Sequence, residues 1–170
     1  MKKKIKLFIL FLLVCILGFL GYKITRKLNH KKEVVERIKT TPSFSFKTIE
    51  NLVYTEKDLP NVPVVFVYFN SECEFCKTEA SKIQSRLTDF KNVQLVFVSF
   101  EKKETIESFA SVYKLDNQEN VLFLEDKKGL FSEIFDVNSI PYIVVYNKDK
   151  ELLKKFKGAT KVDDILAVLK

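Results

Sequence analysis

Two cysteines three positions apart, in Cys73-Glu74-Phe75-Cys76, are the residues best equipped for chemistry in this chain. Such a pair can close a small disulfide ring and open it again. The same spacing also fits two ordinary cysteines or half of a metal site. The apolar run Val64-Val65-Phe66-Val67-Tyr68-Phe69 precedes the pair, and a segment with helical periodicity follows it. Cys73 therefore falls at a helix start, where unpaired backbone N–H groups favour a thiolate.

The flanking elements must hold the pair. Val64–Phe69 reads as a buried strand, from its unbroken β-branched and aromatic content. Cys76, Ala80, Ile83, Leu87 and Phe90 recur at helical spacing, which predicts a helix from Glu74 to about Phe90. That phase turns Cys76 inward and leaves Cys73 at the exposed tip, an asymmetry suited to an attacking and a resolving thiol. Glu79, one turn beyond Cys76, is a candidate proton acceptor; a solvated helix glutamate is the plain alternative. Lys77 reads as a surface residue.

Further along, the patterning predicts a short strand at 44–46, a connector over 51–63, a strand at 93–100 and a helix at 104–113. Then come a strand at 121–124, a helical turn at 130–135, a hairpin of strands 142–146 and 152–156, and a closing helix from about Val162 to Leu169. Alternating strands and helices imply an α/β sandwich with a mixed central sheet and an antiparallel final hairpin.

The formal net charge is +7, but the excess sits at one end. Residues 1–40 carry eleven Lys/Arg against two acids, and the remainder carries eighteen against twenty. A basic globular face for nucleic acid is not supported. The lysines instead flank Leu7–Tyr22, a stretch without a charge. It is near the lower length limit for a membrane-spanning helix. No small-x-small cleavage pattern surrounds Gly18 and Gly21, so an uncleaved anchor is expected rather than a removed signal peptide. Val14 before Cys15 argues against a lipidated cysteine. The expected organisation is an anchor over 1–24, a polar stalk over 25–41 and a globular domain over 42–170. The basic start followed by an apolar stretch suits export, which places the domain outside the cytoplasm of a bacterial cell.

Ser139-Ile140-Pro141-Tyr142 leads into the apolar strand Ile143-Val144-Val145-Tyr146. A proline there is most often a turn residue. Together with the dithiol at a strand–helix junction, it makes residues 42–170 resemble the thioredoxin fold. More narrowly, the chain resembles the membrane-anchored thiol–disulfide oxidoreductases of the TlpA/ResA type. The matching features are Cys73-Glu74-x-Cys76-Lys77-x-Glu79 after an apolar strand, an extra strand–helix–strand run, Ile140-Pro141, the hairpin and Gly158. The resemblance implies a cis Pro141 against the dithiol and a backbone at Ile140 that pairs with an extended substrate strand. Glu74 and Phe75 would share that substrate-facing surface. It implies no cofactor beyond the Cys73–Cys76 disulfide, exported disulfide-containing proteins as substrates, and a membrane or extracytoplasmic electron donor. The chain departs from the pattern at Ser71-Glu72, where the family usually has Trp before the first Cys, and at Phe75, where many members have Pro.

By that reading Cys73 attacks a substrate disulfide and Cys76 resolves the mixed disulfide. Glu72 and Glu74 put negative charge beside the sulfur, which favours a weak oxidant and hence a reductase. Two other functions are alternatives, a peroxidase on the same fold and a metal-binding module of a different class. A peroxidase would want Thr or Ser three residues before the reactive Cys and Pro further back, where Asn70 and Phe66 stand. A dithiol copper carrier would want a third ligand, but the single His is His30 and the single Met is Met1. With four Gly, the chain has no glycine-rich phosphate loop, and residues 42–170 have no His for a serine triad.

Overall fold

A computed structural model describes residues 2–169, with side chains from Leu12 to Leu169. The chain divides into two compact units, Met1–Glu36 and Arg37–Lys170. The first is helix α1, Lys2–Arg37, which runs on past the first unit's end. It continues without a break through the boundary expected between anchor and stalk. The apolar side chains of Leu13, Val14, Leu17 and Phe19 all point to the exterior. Among the described residues no helix is long and apolar enough to cross a membrane. The expected anchor covers residues 1–24, and the side chains of residues 1–11 lie outside those described.

The second unit is built on one seven-stranded sheet. Its strands are β1 (Ser45–Thr48), β2 (Val53–Thr55), β3 (Val64–Tyr68), β4 (Gln94–Ser99), β5 (Val121–Glu125), β6 (Tyr142–Tyr146) and β7 (Leu152–Lys157). They lie in the order β2-β1-β5-β4-β3-β6-β7. β3, β4 and β5 are parallel, and the remaining pairings are antiparallel. The helices are α2 (Glu74–Ser85), α3 (Lys103–Val112), α4 (Leu130–Phe135) and α5 (Val162–Val168). This is the thioredoxin-like α/β sandwich with a mixed sheet.

Side chains alternate across a strand, and β3 uses both faces. Val65, Val67 and Phe69 pack with Cys76, Ala80 and Ile83 of α2, Ile106 and Phe109 of α3, and Ile165 of α5. Phe66 and Tyr68 face an aromatic layer. Phe66 meets Phe44, Phe131, Phe135 and Tyr146, and Tyr68 stacks on Phe131 at 4.9 Å. Each fully buried Phe contributes roughly 1.5–3 kcal/mol. Buried phenylalanines thus form two cores, with Phe69, Phe90, Phe97, Phe109 and Phe123 in one and Phe44, Phe66, Phe131 and Phe135 in the other.

Two segments differ from the expected pattern. The connector at 51–63 contains β2, paired with β1 from Ser45↔Thr55 to Lys47↔Val53. Its turn is closed by the Thr48 hydroxyl, which accepts from Glu50 and Leu52 N–H groups. Val53 is exposed, so this edge strand lacks the apolar alternation that marks a buried one. The helix expected to reach Phe90 ends at Ser85, and a 3-10 turn covers Leu87–Phe90. Arg86 bridges Asp89 and Asp163 there, and Asn120 donates to the carbonyls of Phe90 and Val93. Those bonds satisfy the freed chain end while Phe90 stays fully buried.

The buried Tyr146 hydroxyl donates to the Ile38 carbonyl at 2.9 Å. Tyr146→Phe removes this bond inside the core and is expected to destabilise the fold by about 1–2 kcal/mol. Urea unfolding of wild type and variant measures the difference, and an unchanged midpoint would contradict this role for the hydroxyl.

Candidate active site

The carboxyl ends of parallel strands gather functional loops, and here three such ends converge. β3 leads through Phe69-Asn70-Ser71-Glu72 to Cys73, β4 leads to Glu101, and β5 leads to Asp126. β6 runs antiparallel to β3 in the register Tyr68↔Tyr142. The loop before β6 therefore arrives beside the loop after β3, which brings Pro141 to the dithiol. The Ile140–Pro141 peptide bond is cis.

Cys73 is the N-cap of α2, and its Sγ accepts the backbone N–H of Cys76 at 3.3 Å. A cap acceptor satisfies one of the N–H groups that a helix start leaves open. The same sulfur makes a long 3.9 Å contact to the Ile140 carbonyl oxygen. Cys73 is partly exposed and Cys76 is buried. Both are free thiols. Burial pushes the Cys76 thiol well above its ordinary range, and its hydrogen bond with Cys73 adds to the shift. Cys76 is thus a protonated thiol waiting behind an accessible one.

Glu79 is fully buried, which discards the solvated alternative. One carboxylate oxygen, Oε2, accepts the Thr160 N–H at 2.8 Å, and the buried Oε1 has no hydrogen-bond partner. Burial holds its carboxyl above the ordinary carboxylate range, and the Thr160 N–H and Lys82 draw it partly back. A buried acceptor with an open lone pair, one helical turn from a buried thiol, can take up that thiol's proton.

Phe75 is 65% exposed and Glu74 is open to solvent, its carboxylate paired with Lys77 at 2.8 Å. Phe100 is half-exposed. Together with Tyr68, Lys127, Ser139 and Ile140 it lines a groove of about 620 Å³ on the proline side of the dithiol. A second groove of about 450 Å³, lined by Ser71, Glu72, Lys77, Glu104 and Tyr113, lies on the α3 side. Among the described residues no group of three or more His, Cys, Asp and Glu is placed to hold a metal ion.

Two acids that the sequence reading passed over also belong to this end of the sheet. Glu101 accepts hydrogen bonds from the N–H and hydroxyl of Ser71 at 2.7 and 2.6 Å. Buried Asp126 accepts from the N–H groups of Leu130 and Phe131 at the start of α4. The available signal was positional, since Glu101 lies two residues beyond β4 and Asp126 directly follows β5.

The AhpC/TSA family profile matches residues 39–157. Thioredoxin-like protein YneN of Bacillus subtilis is 27% identical over 145 residues, covering 82% of this chain and 81% of its own. Thiol-disulfide oxidoreductase ResA of Bacillus thuringiensis is 22% identical over 173 residues, covering 100% of this chain and 98% of its own. Among solved structures, the peroxidoxin BcpB of Mycobacterium tuberculosis superposes with a TM-score of 0.66 at 19% identity, over 76% of this chain and 93% of that one. At that identity the likeness speaks for the fold alone.

The raised carboxyl of Glu79 has a signed consequence for stability. Below the ordinary carboxylate range both folded and unfolded forms are protonated. As pH rises through and beyond that range the unfolded chain ionises first, so stability is lost until the folded carboxyl has also titrated. Glu79→Gln lacks this loss and keeps an acceptor for the Thr160 N–H. The wild type should therefore weaken relative to the variant as pH rises from about 4, with a slope of at most about 1.4 kcal/mol per pH unit. Urea midpoints across that range measure the difference, and a gap that does not change with pH would contradict the burial argument.

Proposed function

The chain belongs to the AhpC/TSA family and is a thiol–disulfide oxidoreductase, and we propose that it reduces disulfides of exported proteins from the outer side of a bacterial cell membrane. The observation that carries the redox assignment is the division of labour at the α2 start. One thiol is reachable and capped by a helical N–H, and the other is buried one helical turn from a carboxylate with one oxygen unpartnered.

The Cys73 thiolate attacks one sulfur of a substrate disulfide. A Cys73–substrate bond forms, the substrate S–S bond breaks, and the departing substrate thiolate takes a proton. Cys76 then gives its proton toward Glu79 and attacks Cys73 Sγ. The Cys73–Cys76 bond forms, the Cys73–substrate bond breaks, and the second substrate sulfur leaves as a thiolate that takes a proton. Two electrons have passed to the substrate, and the enzyme is left as a disulfide. A dithiol donor returns it to the reduced state by the same exchange in reverse. The chemistry runs on sulfur alone and requires no cofactor.

The substrate lies along the proline-side groove, its backbone pairing at Ile140 and its side chains against Phe75 and Phe100. The reducing direction is proposed from the acidic side chains of Glu72 and Glu74, which put negative charge beside the dithiol. A peroxidase is less well supported, because Asn70 and Phe66 occupy the positions where Thr or Ser and Pro would be wanted.

Two variants and one potential test the assignment. Cys73→Ser should reduce turnover of a disulfide substrate to background, and Cys76→Ser should accumulate mixed disulfides on Cys73 that are visible by mass. The wild-type pair, equilibrated with glutathione, should have a midpoint closer to about −270 mV than to about −120 mV. Retained turnover in Cys73→Ser would refute the mechanism, and a midpoint near the upper value would reverse the direction.

The location rests on the charge-free stretch Leu7–Tyr22, the lysines around it and the exterior-facing apolar side chains of α1. Apolar side chains in such number have no favourable contact with water, whereas lipid would accept them. The chain should therefore resist alkaline extraction from membranes, and protease added to spheroplasts should remove residues 42–170. Release at alkaline pH, or protection of the domain until lysis, would overturn the location.

A further inference from the structure

The turn between β3 and α2 must hold Cys73 at the helix start, yet little of its backbone is anchored from outside. Inside the turn, Asn70 takes two N–H groups. Its Oδ1 accepts from Glu72 at 2.9 Å and its carbonyl from Cys73 at 3.2 Å. The N–H of Ser71 is held by a different element, through the Glu101 carboxylate that follows β4.

The Glu101 contact is a clamp with several points. Oε2 accepts the Ser71 N–H at 2.7 Å and the Ser99 hydroxyl at 3.1 Å, while Oε1 accepts the Ser71 hydroxyl at 2.6 Å. The Glu101 N–H in turn donates to the Ser99 hydroxyl oxygen at 3.2 Å. Ser99 is fully buried at the end of β4, and its carbonyl accepts the Asp126 N–H at 2.7 Å. The clamp is therefore rooted in the sheet and aimed at the turn that ends in Cys73. Charge-assisted bonds of this length are the stronger kind.

We propose that Glu101 is a positioning residue for the dithiol, fixing the Ser71 turn so that Cys73 Sγ stays in its cap position over Cys76 and beside Ile140. This rests on the thiol–disulfide reading above. Glu101 touches neither sulfur and acts through Ser71. A glutamine fits the same geometry, with its amide oxygen accepting from the Ser71 N–H and the Ser99 hydroxyl and its amide nitrogen donating to the Ser71 hydroxyl. The role therefore belongs to the shape of the clamp rather than to its charge, and the two can be separated.

The test uses the full chain in detergent, with insulin disulfides as substrate and dithiothreitol as final reductant. Amide hydrogen exchange across residues 70–73 is followed in parallel. Glu101→Ala should lose protection at Ser71 and slow insulin reduction by about tenfold or more, since small misplacements of reacting atoms carry penalties of this order. Glu101→Gln should restore both protection and a rate within about twofold of wild type. Ser71→Ala, which removes one bond and keeps the N–H contact, should fall between them and serves if Glu101→Ala does not fold. A wild-type rate in Glu101→Ala, or in Ser71→Ala where that variant stands in, overturns the proposal. So does a loss in Glu101→Gln equal to that in Glu101→Ala. A wild type that reduces no insulin, with Ser71 protection still lost in Glu101→Ala and kept in Glu101→Gln, supports the clamp and counts against the function.

Discussion

The hydrogen bond from the Cys76 N–H to Cys73 Sγ is the contact on which this site depends. A sulfur used as a helix cap is fixed in direction by the helix, with its open side toward solvent and the proline loop. The helix that supplies the N–H also carries the second thiol on its first turn, so one element sets the position of both sulfurs. Anything that moves the start of α2 relative to the sheet moves the whole reaction centre. That is why the packing of α2 through Cys76, Ala80 and Ile83 onto Val65, Val67 and Phe69 is functional as well as structural.

The second constraint is dielectric. Cys76 and Glu79 lie on the same buried face, each held away from its charged form by loss of water. A proton passed from the thiol to the carboxylate moves one negative charge between two buried groups and adds no second buried charge. Thr160, from the segment after Gly158, occupies one carboxylate oxygen and leaves the other free.

Much of this was legible in the chain, though unevenly. The run of buried residues in β3 and the three-and-four spacing of α2 were strong periodic signals, and both elements formed within a few residues of their expected limits. β2 gave no such signal, because an exposed edge strand is stabilised by its partner's backbone rather than by an apolar face. The end of α2 at Arg86 was hidden for a related reason. Phe90 keeps helical phase in sequence, but the chain reaches it through a tighter turn that Asn120, thirty residues away, makes satisfactory. The spacing of Glu79 from Cys76 made it a candidate proton acceptor and left a solvated helix glutamate open; the packing of the Thr160 segment over it shows that it is dry.

The sequence by itself determined the dithiol, its seat on a strand–helix junction, the inward and outward phases of the two cysteines, and the apolar N-terminal stretch. Each of these follows from residue types within one or two turns of chain, where local periodicity governs. The tertiary structure alone decided what surrounds the sulfurs. The Tyr68↔Tyr142 register carries Ile140 to Cys73, the parallel pairing of β3 with β4 carries Glu101 to Ser71, and the return of the chain after β7 seals Glu79. Those partners are separated from the residues they meet by 67, 30 and 81 positions. Sheet pairing and burial bring them together, and neither is written into any short stretch of sequence.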